Sequence, residues 1–212
     1  QQFNVQGIAT DPNGEILYLE RLHRVPGETG GILKVEYSDP KGIPLADKIV
    51  DYDCRATTPS FELTDRLNGR KEGVTWTQDL VKSYQDLNIN TLDVPDSPSI
   101  VDAGFDNAIK LSWDALLAGD NVSFNYLFAR ENKFLKLRFV KSKPPEILRS
   151  EVSGDVVFFR IAANNLIFRI LSSPIYVGYD HFTRDLKYYY GPSNLPMMKE
   201  QKNVLIRYKN LG

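Results

Sequence analysis

Three turn sequences decide the fold of this chain: Asp11-Pro12-Asn13-Gly14, Asp39-Pro40-Lys41-Gly42 and Arg66-Leu67-Asn68-Gly69. In the first two, the Asp carboxylate can accept a backbone N–H of its own turn, Pro presets φ at the second position, and Gly suits the exit. In the third, Asn-Gly tolerates the positive φ values of a tight hairpin. Because strand-like runs flank each turn, the sequence predicts an antiparallel sheet built hairpin by hairpin.

Strands are predicted on both sides of these turns, at residues 3–10, 15–24, 31–38, 43–53, 60–65 and 70–76. The repeat of turns would suit a propeller or a solenoid, but it fades after Gly69, so a meander is the more economical interpretation. Residues 77–92 fit either an amphipathic helix or a second hairpin that turns at Gln78-Asp79. Of these two, the hairpin is favoured.

One amphipathic helix is predicted at residues 103–118. Its apolar stripe, with spacings of three and four, consists of Phe105, Ile109, Trp113 and Leu116. Asp102 or Asp106 can cap its N-terminus, and Gly119 can end it in the left-handed conformation. Trp113 is the largest apolar group on the stripe, so we expect it to anchor the helix on the sheet.

Long strands are predicted again after the helix, near residues 122–128, 135–140, 157–161, 168–170, 175–179, 186–190 and 204–208. Apolar and polar residues alternate along most of them, as in half-buried strands. The predicted fold class is therefore mainly β, with a single half-barrel-like domain over residues 1–212. A large curved antiparallel sheet, open or half-barrel, carries one principal amphipathic helix on its concave face.

Composition narrows the classes of function. The formal net charge of -1 gives no long-range attraction to nucleic acid, so no nucleic-acid partner is expected. No apolar run approaches the length of a membrane span. The single Cys54 excludes an internal disulfide and a multi-cysteine metal site, and is interpreted as a small, part-buried hydrophobe. The opening Gln1-Gln2-Phe3, without an initiator Met, suggests a processed terminus, and removal of a signal peptide on export to a bacterial periplasm is favoured.

A longer motif carries a family resemblance. The run Val101-Asp102-Ala103-Gly104-Phe105-Asp106-Asn107, followed by Trp113-Asp114-Ala115-Leu116 and Gly119, resembles a family of uncharacterised exported bacterial proteins. The Ala9–Gly14 hairpin and the closing Gly191-Pro192-Ser193-Asn194-Leu195 extend the resemblance over nearly the whole chain. It implies a periplasmic half-barrel of the kind found in lipoprotein carriers, where a curved sheet wraps a helix and can enclose an apolar cavity for acyl chains. Ala108 stands where many members carry an aromatic residue, which implies more space above the helix.

No catalytic or metal-binding motif stands out, and no cofactor is expected. His23 and His181 lack the partners of a zinc site, and Asp180-His181 is interpreted as an exposed turn. Asp51 and Asp53 share one strand face, but no third ligand lies at a recognisable spacing. The chain is therefore predicted not to be an enzyme, with a hydrolase assembled from distant residues as the third interpretation of its function.

The candidate binding site comes from the alternation in the strands after the helix. Its apolar positions, joined to the helix stripe, are Phe105, Ile109, Trp113, Leu135, Leu137, Phe139, Phe159 and Ile161. The cationic residues on the other alternation are Lys136, Arg138, Arg160 and Arg169. A sheet with a solvent-exposed convex face and an apolar concave face explains this pattern most simply. The sharper hypothesis is a lipid-type pocket with a cationic rim for an anionic headgroup.

We therefore expect a non-catalytic periplasmic protein, or one attached to the envelope by a removed N-terminal segment, that binds an apolar or lipid-like ligand between helix and sheet. The alternative is a protein–protein interaction or structural module of the cell envelope with a solid core. Its unknown partner would use an exposed sheet edge or an aromatic patch around Tyr188–Tyr190. A cavity of roughly 300–1,000 Å³ would distinguish the first from the second.

Overall fold

The computed structural model of the chain describes residues 4–27, 30–53, 55–77, 80–163, 174–193, 195–198 and 203–211. The strands in these ranges are β1 Val5–Thr10, β2 Ile16–Val25, β3 Ile32–Ser38, β4 Pro44–Asp51, β5 Ser60–Asp65, β6 Lys71–Thr77, β7 Leu80–Gln85, β8 Asn88–Asp93, β9 Ser99–Ile100, β10 Val122–Phe128, β11 Lys133–Ser142, β12 Val156–Ala163, β13 Ile175–Asp180, β14 Leu186–Gly191 and β15 Val204–Asn210. The helices are α1 Gly104–Leu111, α2 Trp113–Ala118 and the 3₁₀ turns η1 Ala129–Glu131, η2 Glu146–Leu148 and η3 Pro196–Met198.

All of these strands belong to one sheet, whose order is β8-β7-β6-β5-β4-β3-β2-β1-β15-β14-β13-β12-β11-β10-β9. Neighbouring strands are antiparallel except for the short β9, which runs parallel to β10. The first and last strands of the chain join the two halves, in a register from Val5 opposite Asn210 to Thr10 opposite Leu205. The sheet is not closed, so the predicted mainly β fold with a large open antiparallel sheet is confirmed.

The turns form for the reasons that the sequence suggests. The Asp11 carboxylate accepts the N–H groups of Asn13 and Glu15, at 2.9 and 2.8 Å, and Asp39 has the same role in its own turn. Gly69 has a φ of +75°, which favours glycine. After β6 the chain continues as β7 and β8, and Thr77 pairs with Leu80, so the hairpin interpretation of residues 77–92 is confirmed. The turn residues Gln78-Asp79 lie outside the described ranges.

The helix prediction needs one correction, because α1 and α2 replace a continuous helix over residues 103–118. The break is at Ser112, whose backbone leaves the helical region with φ −100° and ψ 11°. Neither Asp102 nor Asp106 caps α1 with its side chain; Ala103 occupies the cap position. Gly119 ends α2 in the left-handed conformation, as predicted.

The predicted apolar stripe packs on the second half of the sheet. Ile109, Trp113 and Leu116 are buried, and Phe105 is half-buried at the edge of the same cluster. The Trp113 ring makes edge-on contacts with Phe159 and Tyr179, at centroid distances of 5.5 and 5.9 Å. Trp113 therefore anchors the helix on β12 and β13, as the sequence predicts.

Contacts other than strand pairing join the two ends of the open sheet. The Arg130 guanidinium of η1 binds the Glu72 carboxylate of β6, with a shortest distance of 2.5 Å. Ser83 on β7 donates to Asn132 at 2.5 Å. The Val101 N–H donates to the Thr57 carbonyl, and a Cβ on Gly104 would lie 2.0 Å from that same oxygen. The segment before α1 thus lies directly against the loop between β4 and β5.

Replacing the helix anchor tests this arrangement. Trp113 is 2% exposed, so Trp113→Ala leaves a cavity between helix and sheet and should lower the free energy of unfolding by about 3–5 kcal/mol. Chemical denaturation measures the change. Leu111→Ala, at a position of α1 that is 75% exposed, is the control and should change stability by less than about 0.5 kcal/mol. Equal denaturation midpoints for Trp113→Ala and the unmodified protein would contradict the packing.

Candidate functional site

The predicted apolar site residues separate into two groups in the structure. Residues that fill the space between the helices and the sheet, buried and away from any cavity, are Ile109, Trp113, Phe139 and Phe159. Phe105, Leu137 and Ile161 reach the wall of a cavity, whereas half-buried Leu135 does not. The buried stripe of the helices thus packs directly on the sheet, and the cavity lies beside it.

A cavity of about 520 Å³ lies inside the curve of the sheet, at the start of α1. Its wall includes inward-facing residues of β2 to β6, the segment from Asp102 to Lys110, the end of β10 with η1, and parts of β14 and β15. The aliphatic and phenylalanine side chains that β2 to β5 contribute are Leu22, Leu33, Val35, Val50, Phe61 and Leu63. The volume falls within the range of about 300–1,000 Å³ that small-molecule sites occupy.

The predicted cationic rim does not border this cavity. Lys136 and Arg138 alternate with the inward-facing Leu137, and Arg160 alternates with Phe159, so all three side chains leave the opposite face of the sheet. None of the three lines the cavity. Arg169 lies outside the described residues.

A different set of charges lines the cavity. The cationic members are Arg24, Lys48, Lys110 and Arg130, and the acidic members are Glu20, Glu72, Asp102, Asp106, Glu131 and Asp185. The wall as described thus carries six carboxylates and four cationic groups, an excess of negative charge.

Three of these carboxylates have a cationic partner within the wall. The Lys48 ammonium lies 2.5 and 2.6 Å from the two oxygens of Asp102, and both side chains are largely buried. Lys110 binds Asp106 at 2.8 Å along α1. The third pair is Arg130 with Glu72, which also joins the ends of the sheet. The pair between Lys48 and Asp102 is the most shielded from water of the three, so loss of either partner leaves the other charge poorly solvated.

Glu20 differs from these three carboxylates. It is 4% exposed in the middle of β2, and the Tyr208 hydroxyl donates to it at 2.9 Å. In the described part of the chain, no Lys, Arg or His nitrogen lies within ion-pair distance of its carboxylate. Burial raises the pKa of Glu20 to about 7, although the Tyr208 hydrogen bond and the charge of Lys48 act in the opposite direction.

Five tyrosines add further polar groups to the cavity wall: Tyr37, Tyr52, Tyr126, Tyr189 and Tyr208. Burial is the main cause that raises the pKa of each of these phenols above its usual value. They therefore stay protonated at neutral pH and act as hydrogen-bond donors. Tyr189, for example, donates to the Pro192 carbonyl at 2.9 Å.

Sequence reasoning missed the central polar residues Glu20, Lys48 and Tyr208, and it treated Asp102 only as a candidate cap. A signal for two of them is present, because Glu20 and Lys48 occupy inward positions on strands whose other inward residues are mostly apolar. A charged residue at such a position is rarely buried without a specific reason. The contact between Glu20 and Tyr208 spans 188 residues, and no local pattern predicts it.

Other candidate centres give no site. Asp180 accepts the N–H groups of Phe182 and Thr183, each at 2.9 Å, so Asp180-His181 begins a turn as predicted. Over the ranges that the structure describes, no three His, Cys, Asp or Glu side chains gather in a way that could hold a metal ion. The same ranges contain no helix with the length and apolar character needed to cross a bilayer.

Together, these features define the class: an open, barrel-like antiparallel β protein with an internal cavity. The chain is similar to the crystal structure of a β-barrel-like protein of a domain of unknown function, DUF1849, from Brucella abortus. The TM-score is 0.55 at 10% sequence identity, and the match covers 100% of this chain and 97% of that one. At this identity the similarity shows the fold, and it supports the barrel-like bacterial architecture that the family resemblance implies. No protein-family model and no curated protein matches the chain.

The buried Glu20 should make stability depend on pH. Unfolded Glu20 loses its proton near its ordinary pKa of 4.5, whereas in the folded protein it keeps the proton until about pH 7. Its contribution to stability is therefore complete below pH 4.5 and is lost as the pH rises to 7, by about 3 kcal/mol in total. Glu20→Gln should remove this loss, as measured by urea denaturation from pH 4.5 to 7.5.

The control for this measurement is Glu36→Gln, which replaces an exposed carboxylate on the neighbouring strand β3 and should keep the pH profile of the unmodified protein. The prediction fails if Glu20→Gln and Glu36→Gln give parallel curves of unfolding free energy against pH.

The buried ion pair gives a second prediction. Lys48→Met leaves the Asp102 carboxylate buried without its cation and should lower the free energy of unfolding by about 3–5 kcal/mol. The added change Asp102→Asn should recover part of that loss. Lys71→Met breaks the exposed pair with Glu62 and should cost less than about 1 kcal/mol. Thermal denaturation measures the stability of each variant. Similar losses of stability for Lys48→Met and Lys71→Met would contradict the importance of the buried pair.

Proposed function

We propose that the protein is an exported, non-catalytic binding protein of the bacterial periplasm that holds a lipid-like, amphipathic molecule in the cavity. The observation that carries the proposal is the cavity of about 520 Å³ inside the half-barrel, whose wall combines apolar side chains with charged and tyrosine side chains. The motif at residues 101–107, with its resemblance to exported bacterial proteins, supports the location.

The composition of the wall supports an amphipathic ligand. The aliphatic side chains of β2 to β5 offer a surface on which a hydrocarbon tail loses contact with water, at a gain of about 25 cal/mol per Å². Glu20, Lys48, Asp102 and the tyrosine hydroxyls offer hydrogen bonds to one polar end. Sites for small molecules generally combine such an apolar wall with a few polar groups that fix orientation.

The contacts of the one serine in the described wall support a binding role over catalysis. The Ser193 hydroxyl lies 3.2 Å from the Tyr18 hydroxyl and accepts the Leu195 N–H at 3.2 Å. A serine nucleophile instead needs a hydrogen bond to a base such as histidine, and neither His23 nor His181 lines the cavity. The two lysines of the wall, Lys48 and Lys110, are each bound in an ion pair, with Asp102 and Asp106 respectively.

An interaction module of the envelope is the second candidate, and one observation favours it. The edge strand β8 and its turn carry apolar side chains in water, with Leu87 95% exposed and Ile89 65% exposed. An exposed edge strand can pair with a strand of another protein. The patch predicted around Tyr188–Tyr190 is less suitable, because Tyr188 stacks on Phe158 and Tyr190 contacts Tyr176 within the outer cluster.

Native mass spectrometry of protein isolated from the periplasmic fraction of its own organism tests the binding proposal. We expect an added mass in the range of a lipid, which organic extraction should release for identification. Leu22→Trp places a large ring in the cavity from a half-buried position and should lower the bound fraction at least about tenfold.

Ile49→Trp is the matched control, since Ile49 is 47% exposed on the outer face of β4 and the same ring there should leave the bound fraction unchanged. A protein that carries no added mass, or equal occupancy in both variants, would favour the interaction module. Absence of the protein from the periplasmic fraction would contradict export.

A further inference from the structure

The neighbouring residues leave room for the Glu20 side chain within the cavity wall. It is opposite Gly7 on β1 and Tyr37 on β3. A Cβ on Gly7 would lie 3.1 Å from a Glu20 carboxylate oxygen and 2.8 Å from the ring of Tyr208. The absence of a side chain at Gly7 therefore leaves the room in which the Glu20 carboxylate meets the Tyr208 hydroxyl.

The charges around Glu20 leave its carboxylate available to a ligand. Lys48, the cation whose charge acts on it, is already held by both oxygens of Asp102. Asp106 and Glu72 likewise have their own cations, Lys110 and Arg130. Among these buried wall carboxylates, Glu20 is the one whose contact is a neutral hydroxyl, and a buried carboxylate is stabilised by an added positive charge.

The net charge of the cavity wall indicates which charge the polar end of a ligand should carry. An anionic headgroup would lie against Glu20 within a wall of six carboxylates and four cationic groups, and it would have to share Lys48 with the Asp102 carboxylate. A protonated amine would instead gain an ion pair with Glu20. The phenol ring of the paired Tyr37 and the ring of Phe61, which already lies 5.1 Å from the Lys48 ammonium, add faces that attract cations.

We propose that the cavity selects a molecule with an apolar tail and a protonated amine at its polar end, and that the amine binds the Glu20 carboxylate beside Tyr208. This inference rests on the proposed binding function and names the chemical class of its ligand. It reverses the charge expected for the headgroup from the sequence alone.

Proton release should accompany this binding, because only ionised Glu20 pairs with an ammonium. The titratable groups that act on Glu20 are Lys48 and Tyr208, and the tyrosines whose own ionisation it opposes are Tyr18, Tyr37, Tyr189 and Tyr208. With the Glu20 pKa at about 7, amine affinity should rise about tenfold between pH 6 and pH 8, where an alkyl amine stays protonated.

Isothermal titration with three probes of equal chain length tests the inference: dodecylamine, dodecanol and dodecanoate, each below its solubility limit and the two charged probes also below their micelle concentrations. The amine should bind at least about tenfold more tightly than the alcohol, and dodecanoate more weakly than the alcohol. Glu20→Gln should bring the amine to the affinity of the alcohol. Glu36→Gln removes an exposed carboxylate on β3 that does not line the cavity and should keep the preference for the amine.

The outcomes separate this inference from the proposed function. Binding of none of the three probes contradicts the binding function itself. Binding of the alcohol with tighter dodecanoate, or an amine preference that survives Glu20→Gln, overturns the amine inference and leaves the binding function standing. Should Glu20→Gln fail to fold, the unmodified protein decides: amine affinity relative to the alcohol must rise between pH 6 and pH 8, and a flat ratio overturns the inference.

Discussion

The ion pair between Lys48 and Asp102 is the contact on which the arrangement of the two sheet halves depends. Lys48 belongs to β4 in the first half, and Asp102 immediately precedes the helices that pack on the second half. Asp102 has a φ of +47°, which is unusual for a residue other than glycine, and its carboxylate also accepts the Ala103 N–H at 2.7 Å. The terminal strands of the described sheet do not pair with each other, so this ion pair, the Arg130–Glu72 pair and the Val101–Thr57 backbone hydrogen bond connect the two sides of the opening.

The cavity follows from the same geometry. Trp113 packs the α2 end of the helical segment on β12 and β13. Asp102, which lies before α1, binds Lys48 of β4. The helices thus fill the curve of the second half of the sheet and leave space along the first half. The ion pairs that hold the halves together line that space, so the features that shape the cavity also give it its polar groups.

Local chemistry explains which features were predictable from the sequence. The turns at Asp11 and Asp39 and the apolar stripe through Trp113 depend on residues close in sequence, and the structure confirms them. The position of the cavity depends on contacts such as Lys48 with Asp102, 54 residues apart. The sequence shows the alternation around Arg138 and Arg160, but alternation alone does not show which residues pack against each face of the sheet. Phe158, beside Arg160, is buried on the outer face against Leu148 of η2.

Glu20 connects the stability of the fold with its proposed role. Replacing buried charged groups with well-packed apolar residues is often neutral or stabilising, so stability alone does not explain a carboxylate at this position. Two neighbours accommodate the Glu20 carboxylate: the Tyr208 hydroxyl donates a hydrogen bond to it, and Gly7, which has no side chain, leaves room for it. Ionisation of Glu20 lowers the stability of the ligand-free protein as the pH rises toward 7, and a bound cation would offset this loss of stability. In the proposed function, the same carboxylate would lower the stability of the ligand-free protein as the pH rises toward 7 and would favour a cationic ligand.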